Sequence, residues 1–230
     1  MKYLYLVFAI LTFSMASVYP INITINDGYG TGAGWHSANR ENNETEPGTI
    51  ATQFWDMERF EKNGSVLTMI GGYNFTSPAG YGGFRPGDLF IDTDGMGFYD
   101  YAVVIGTAPS SYNVYAIDDD VNTYDVHYAQ NIFSNPWRYK SGGTLIASGL
   151  SAIYGSYNDG EGKHYTVNLD LSWLNPYLDN GSTVTLHNTM ECGNDNLMGQ
   201  YIHQVPEGGS APIMLGFGLV MIFSYKKSRQ

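Results

Sequence analysis

The sequence holds one cysteine, Cys192, so no disulfide can form within the chain and its stability must come from packing or from bound ions. No cysteine follows the apolar N-terminal run either, which speaks against a lipid-anchored N-terminus. Bases are scarce: 11 lysines and arginines stand against 22 aspartates and glutamates, a net charge of −11. Four of those bases, Lys2, Lys226, Lys227 and Arg229, lie in the two end segments, so the body between them carries about −15. Such a field repels nucleic acid and anionic lipid, and neither is expected as a partner of the body; it favours solubility and divalent cations. The histidines His36, His127, His164, His187 and His203 lack an H-x-x-x-H spacing, so a zinc site is not expected. Helical periodicity is missing between the end segments.

What is present is alternation. With 43% apolar and 15% aromatic residues the acidic body can build a core rather than stay disordered. Ile21, Ile23 and Ile25 share one strand face, as do Tyr124, Val126 and Tyr128. The cleanest run is Tyr165, Val167, Leu169, Leu171 and Trp173; a further one is Val184, Leu186, Asn188 and Met190. Cys192 continues that last parity, which places its thiol on the core side. Short β-branched or aromatic runs add strands at 66–70, 89–91, 101–105, 112–117 and 144–147. Asn63-Gly64, Gly71-Gly72, Asp94-Gly95, Gly142-Gly143, Asp159-Gly160 and Asn180-Gly181 read as hairpin turns, because glycine tolerates the positive φ they require. One helical turn is expected before Pro176, and residues 28–48 read as a long loop. The expected fold is all-β, an antiparallel sandwich of jelly-roll type over residues 17–204.

Both ends look like targeting segments. Residues 1–16 open with Lys2, run through an apolar stretch and close on Ser14-Met15-Ala16, the pattern of a cleavable signal peptide. At the other end, residues 208–225 carry no charge over 18 positions, enough to cross a bilayer as a helix, and a basic cluster follows. That cluster would stay cytoplasmic, leaving the β body outside.

Val205, Pro206, Glu207, Gly208 and Gly209, then the apolar span and the basic end, resemble the C-terminal sorting signal of PEP-CTERM proteins, closest to the variant reading Val-Pro-Asp-Ser-Gly. Glu207 and Gly208 depart from that spelling. The blocks 43–48, 53–58, 67–75, 87–91 and 186–195 are also similar to stretches shared by such surface proteins. The resemblance implies recognition of residues 205–230 by an exosortase, an integral-membrane cysteine protease of Gram-negative-type bacteria. It also implies transient anchoring in the inner membrane, and a final place at the cell surface or in an exopolysaccharide or biofilm matrix.

The best site-like segment is Asp92-Thr93-Asp94-Gly95-Met96-Gly97-Phe98-Tyr99-Asp100. Asp92, Asp94 and Asp100, with glycines between them, offer the hard oxygens that calcium requires. It is no EF-hand, since Met96 and Val103 stand where ligands would be needed. Asp118-Asp119-Asp120 could add ligands, or be a solvated turn; Glu44, Glu46 and Asp88 are open to either a structural or an ion-binding part. Asp56 and Glu58 superficially fit a retaining glycosidase pair, and Cys192 with His187 or His203 a thiol protease. Nineteen tyrosines and four tryptophans allow a lectin-like surface. The sequence is therefore read first as a non-enzymatic surface or matrix protein, calcium-stabilised in one version. Second comes a carbohydrate-binding module for exopolysaccharide, and third a glycan-cleaving enzyme.

Overall fold

A computed structural model describes residues 19–25, 52–76, 83–106, 110–118 and 121–205. The expected signal segment 1–16, the expected loop 28–48 with His36, Glu44 and Glu46, Asp119 and Asp120, and residues 206–230 with the apolar span lie outside the described residues. Among the described residues no helix is long and apolar enough to cross a membrane.

Hairpins dominate the body. β3 (Arg59–Asn63) and β4 (Val66–Gly71) turn at Gly64, whose φ of 58° bears out the Asn63-Gly64 turn. β5 (Leu89–Asp92), β6 (Tyr101–Ile105) and β7 (Ser111–Ala116) form a meander. β10 (Thr144–Asn158) returns as β11 (Lys163–Asp170) across Asp159-Gly160, and β12 (Thr183–Thr189) pairs with β13 (Asn196–Ile202). Gly71-Gly72, Gly142-Gly143 and Asn180-Gly181 join no paired strands; their neighbours find partners elsewhere in the chain.

Two short strands, β1 (Ile21–Asn22) and β2 (Thr24–Ile25), complete an 11-stranded antiparallel sheet in the order β1-β3-β4-β11-β10-β7-β6-β5-β12-β13-β2. All-β is correct. The jelly-roll sandwich of two separate sheets is not, because the sheet is continuous and barrel-like. The 15-residue β10 pairs with β7 along its first half and with β11 along its second, with register shifts near Ala147 that let it bend. Ile23 then joins the two ends: its N–H donates to the Phe60 carbonyl at 3.0 Å, and its own carbonyl accepts from Gln200 N–H at 2.8 Å. The chain changes partner strand at this residue, which breaks the expected Ile21/Ile23/Ile25 face. Ile23 is buried while Ile21 is exposed.

One core fills the interior, where Phe60, Leu67, Met69, Val167 and Leu169 meet Leu89, Ile91, Val103, Val184 and Leu186. The run along β11 stops at Asp170, whose carboxylate accepts from Ser172 N–H at 2.9 Å and caps the 3₁₀ segment Leu171–Tyr177. Leu171 and Trp173 therefore belong to the helical turn and not to the strand.

A second layer lies outside this sheet. β8 (Asn122–Tyr124) and β9 (Arg138–Ser141) pair with each other, and the 3₁₀ segment Ala129–Ser134 lies between them. The expected Tyr124–Tyr128 strand thus ends at Tyr124, and Val126 is buried where Tyr124 and Tyr128 are exposed. This strap is stitched to the sheet by Asp88 N–H to the Trp137 carbonyl (2.9 Å), His127 N–H to the Glu191 carbonyl (2.7 Å) and Asn131 Nδ2 to the Cys192 carbonyl (2.8 Å). The approach is close enough to require glycine. A Cβ on Gly87 would lie 2.3 Å from the carbonyl oxygens of both Thr189 and Trp137, and Gly193 (φ 64°) presses against Val126.

Candidate functional site

The β5–β6 turn brings Asp92, Asp94 and Asp100 together as expected, with one carboxylate oxygen of each within 4.8 Å of the others. Much of their hydrogen-bonding capacity already organises the turn. Asp92 Oδ1 accepts from the N–H groups of Asp94 (3.0 Å) and Gly95 (2.7 Å), and its Oδ2 from Gly97 (3.2 Å). Asp94 Oδ1 accepts from Met96 N–H at 2.9 Å, and Asp100 Oδ2 from Thr93 N–H at 2.7 Å and Oγ1 at 2.6 Å. The remaining lone pairs, chiefly Asp94 Oδ2 and Asp100 Oδ1, are what a cation could use. Asp94, Asp100 and Asp118 line one 670 Å³ cleft, so Asp118 of the acidic run faces the same space. Three carboxylates in one turn suit a hard divalent ion in charge and donor type.

Asp56 and Glu58 do not form a glycosidase pair in any of the clefts at Arg85, Phe90 or Asp94. Both are buried. Glu58 Oε1 meets His164 Nδ1 at 2.6 Å and accepts from Gln53 Nε2 at 2.7 Å, while Arg59 Nη1 lies 3.3 Å from Oε2. Burial lifts the Glu58 carboxyl above its usual range against the pull of these partners. The other His164 nitrogen, Nε2, lies 2.8 Å from Asp159 Oδ1, and Tyr157 stacks on the ring at 4.8 Å. Burial pushes the imidazole down, but the bonds to Asp159 and Glu58 outweigh it and hold His164 above its ordinary value. The arrangement is an ion network with Glu58 and His164 buried at its centre and Asp159 at the surface.

Cys192 and His187 lie on different faces and are not brought together as nucleophile and base. The thiol is in the core, as its parity predicts, and burial pushes it up to about 11. His187 points the other way from β12, stacked on Tyr99 at 5.5 Å and beside Phe90 at 6.1 Å. Neither of its ring nitrogens completes a hydrogen bond of normal geometry, and burial lowers it to about 4 in spite of the nearby Asn196 side chain and Ser134 backbone. His203 N–H donates to the Ser182 carbonyl, and its carbonyl accepts from Gly181.

Asp88 is an anchor of the strap. Its Oδ1 accepts from Ile105 N–H at 3.0 Å and its Oδ2 from Tyr139 N–H at 2.9 Å; complete burial still pushes it up to about 7.

Beside that anchor the strap opens a 470 Å³ cleft lined by Arg85, Tyr124, Asp125, Trp137, Arg138 and Lys140 among others. The described residues hold six lysines and arginines (Arg59, Lys62, Arg85, Arg138, Lys140 and Lys163), and half of them stand here. Aromatic faces hold them in place. Arg85 and Arg138 lie over the Trp137 ring at 5.3 and 5.8 Å, and Lys140 over Tyr124 at 5.3 Å. Arg85 is also paired with Glu191, Nε to Oε2 at 3.1 Å and Nη2 to Oε1 at 3.0 Å. Arg138 Nε is 3.9 Å from Asp88 Oδ2, beyond hydrogen-bond reach, and Lys140 forms no ion pair among the described residues.

Sequence reasoning missed this cleft. A trace of it was visible in Trp137-Arg138-Tyr139-Lys140, where aromatics and bases alternate in a base-poor chain; Arg85 gave none, since only folding brings it across. No family model, curated protein or solved structure matches the chain.

Proposed function

We propose that this chain is an exported, non-enzymatic surface or extracellular-matrix protein of a Gram-negative-type bacterium. On this reading residues 1–16 are cleaved as a signal peptide, and an exosortase sorts the protein through residues 205–230 while the tail is held in the inner membrane. The observation that carries the reading is the uncharged span 208–225 with its basic end, which follows an all-β body whose last described strand ends at Ile202. A body that reaches closure without a disulfide is suited to folding after export by packing alone, and calcium at Asp92, Asp94 and Asp100 would add to its stability. The test is deletion of residues 205–230. The truncated chain should leave the cells as a folded, soluble product; aggregation of that product would make the tail part of the core and end the sorting reading.

A second reading, saccharide binding, is favoured by the aromatic and polar cleft at Tyr124, Asp125 and Trp137. Binding of an oligosaccharide to the purified protein tests it.

A further inference from the structure

We infer that the cleft between Arg85, Tyr124 and Arg138 binds a carboxylate-bearing saccharide. The inference deepens the saccharide-binding reading and rests on it.

Cations in this chain are few, and their placement is therefore informative. Three of the six described bases converge on one cleft of a protein whose net charge is −11. Two of these three, Arg138 and Lys140, are held chiefly by neutral ring faces and not by close carboxylates. A cation fixed by a π face is positioned yet keeps its charge for an anion, whereas one in a tight ion pair does not. The carboxylate nearest Arg138 is that of Asp88, which burial pushes up to about 7 and which two backbone N–H groups already engage. It leaves the guanidinium largely available. Arg85 differs, since Glu191 holds it in a two-pronged pair that braces the wall of the cleft.

The rest of the lining narrows the anion. Asp125 is exposed within the same cleft. A site for phosphate alone would suffer from a carboxylate at its wall, while a polyhydroxylated anion uses both kinds of group, its carboxylate on the bases and its hydroxyls donating to Asp125. Tyr124, nearly half exposed, and the exposed His127 add ring surface for the apolar face of a sugar. The volume of 470 Å³ falls within the range of about 300–1,000 Å³ common for small-ligand sites and leaves room for a short saccharide segment. A polymer with one carboxylate per sugar also meets less repulsion from the acidic body than a densely charged polyphosphate would.

Calorimetric titration of the purified full chain with oligogalacturonate, and separately with a neutral cello-oligosaccharide, tests the inference. The acidic oligosaccharide should bind, more weakly as salt is raised, and the neutral one should not. Arg138→Gln and Lys140→Gln should each weaken binding by about tenfold, and Lys140→Arg should restore it. Unchanged melting temperatures in these surface variants would show that the fold is intact. Equal binding of the neutral oligosaccharide would overturn the acidic specificity and leave the saccharide reading standing. Binding of neither would remove both. Acidic binding that ignores the variants would take the ligand away from this cleft, and inorganic phosphate competing as strongly as the oligosaccharide would reduce it to a simple anion site.

Discussion

Glu58 Oε1 and His164 Nδ1 meet at 2.6 Å with both side chains sealed from solvent, and Asp159 grips the opposite ring nitrogen from the surface. The histidine is thereby held protonated above its ordinary value, and its folded state retains a proton that the unfolded chain releases. Stability from this group is fully present below a pH of about 6.5 and is lost as pH rises through the raised folded value. Denaturant unfolding at pH 6 and pH 9 should show wild type losing stability at the higher pH, with a smaller loss in His164→Gln. Glu58→Gln leaves the buried cation with only the surface carboxylate of Asp159 and should cost roughly 3 kcal/mol at pH 6. A pH slope identical in wild type and His164→Gln would mean that the imidazole is neutral in this network.

His187 acts with the opposite sign. Burial lowers it to about 4, so between pH 6.5 and 4 the unfolded chain binds a proton that the folded chain refuses. Stability from this residue falls as pH falls through that window, by about 3 kcal/mol in total. His187→Phe, which keeps a ring beside Phe90 and Tyr99, should be markedly less acid-sensitive than wild type. Parallel stability curves for the two proteins from pH 7 to pH 4 would contradict this.

If the Asp92, Asp94 and Asp100 turn holds calcium, the melting temperature must depend on the ion. A ligand at a hundredfold its dissociation constant stabilises the native state by about 2.7 kcal/mol. Melting in excess chelator should therefore occur below melting in millimolar calcium, and Asp94→Ala should remove most of the difference. No shift in wild type would leave the three carboxylates as organisers of their own turn.

Cys192, in the core and lifted to about 11 by burial, should resist a thiol reagent in the native protein and react once denaturant is added. Cys192→Ala should cost about 1 kcal/mol or somewhat more through lost packing. Rapid labelling without denaturant would show that the thiol reaches solvent.

How much of this was legible depends on how far each feature reaches along the chain. Val167 and Leu169 could be placed inward from alternation, and Asp92, Asp94 and Asp100 grouped from spacing, because each is set by neighbours in one turn or strand. Closure at Ile23 was not legible, since it joins β3 and β13, strands far apart in sequence. His164 sits next to Tyr165 on the opposite face of β11 and is buried too; an alternating pattern marks one buried face and leaves the other unread. On β12 the strap covers the corresponding second face, which carries His187, and the cleft at the strap's margin draws Arg85 and Arg138 from distant segments.

The joint at Ile23 also sets an order of events. Residues 21–25 are made before every other described strand, yet one of their two partner strands is β13, ending at Ile202. The barrel-like sheet cannot close while the chain is still emerging, so its final step waits on contacts of very large sequence separation, the kind that slow folding most. Until then the growing sheet keeps an open strand edge, the condition under which β-proteins associate wrongly. Closure therefore waits until β13, the last of the described strands, is available to meet Thr24–Ile25.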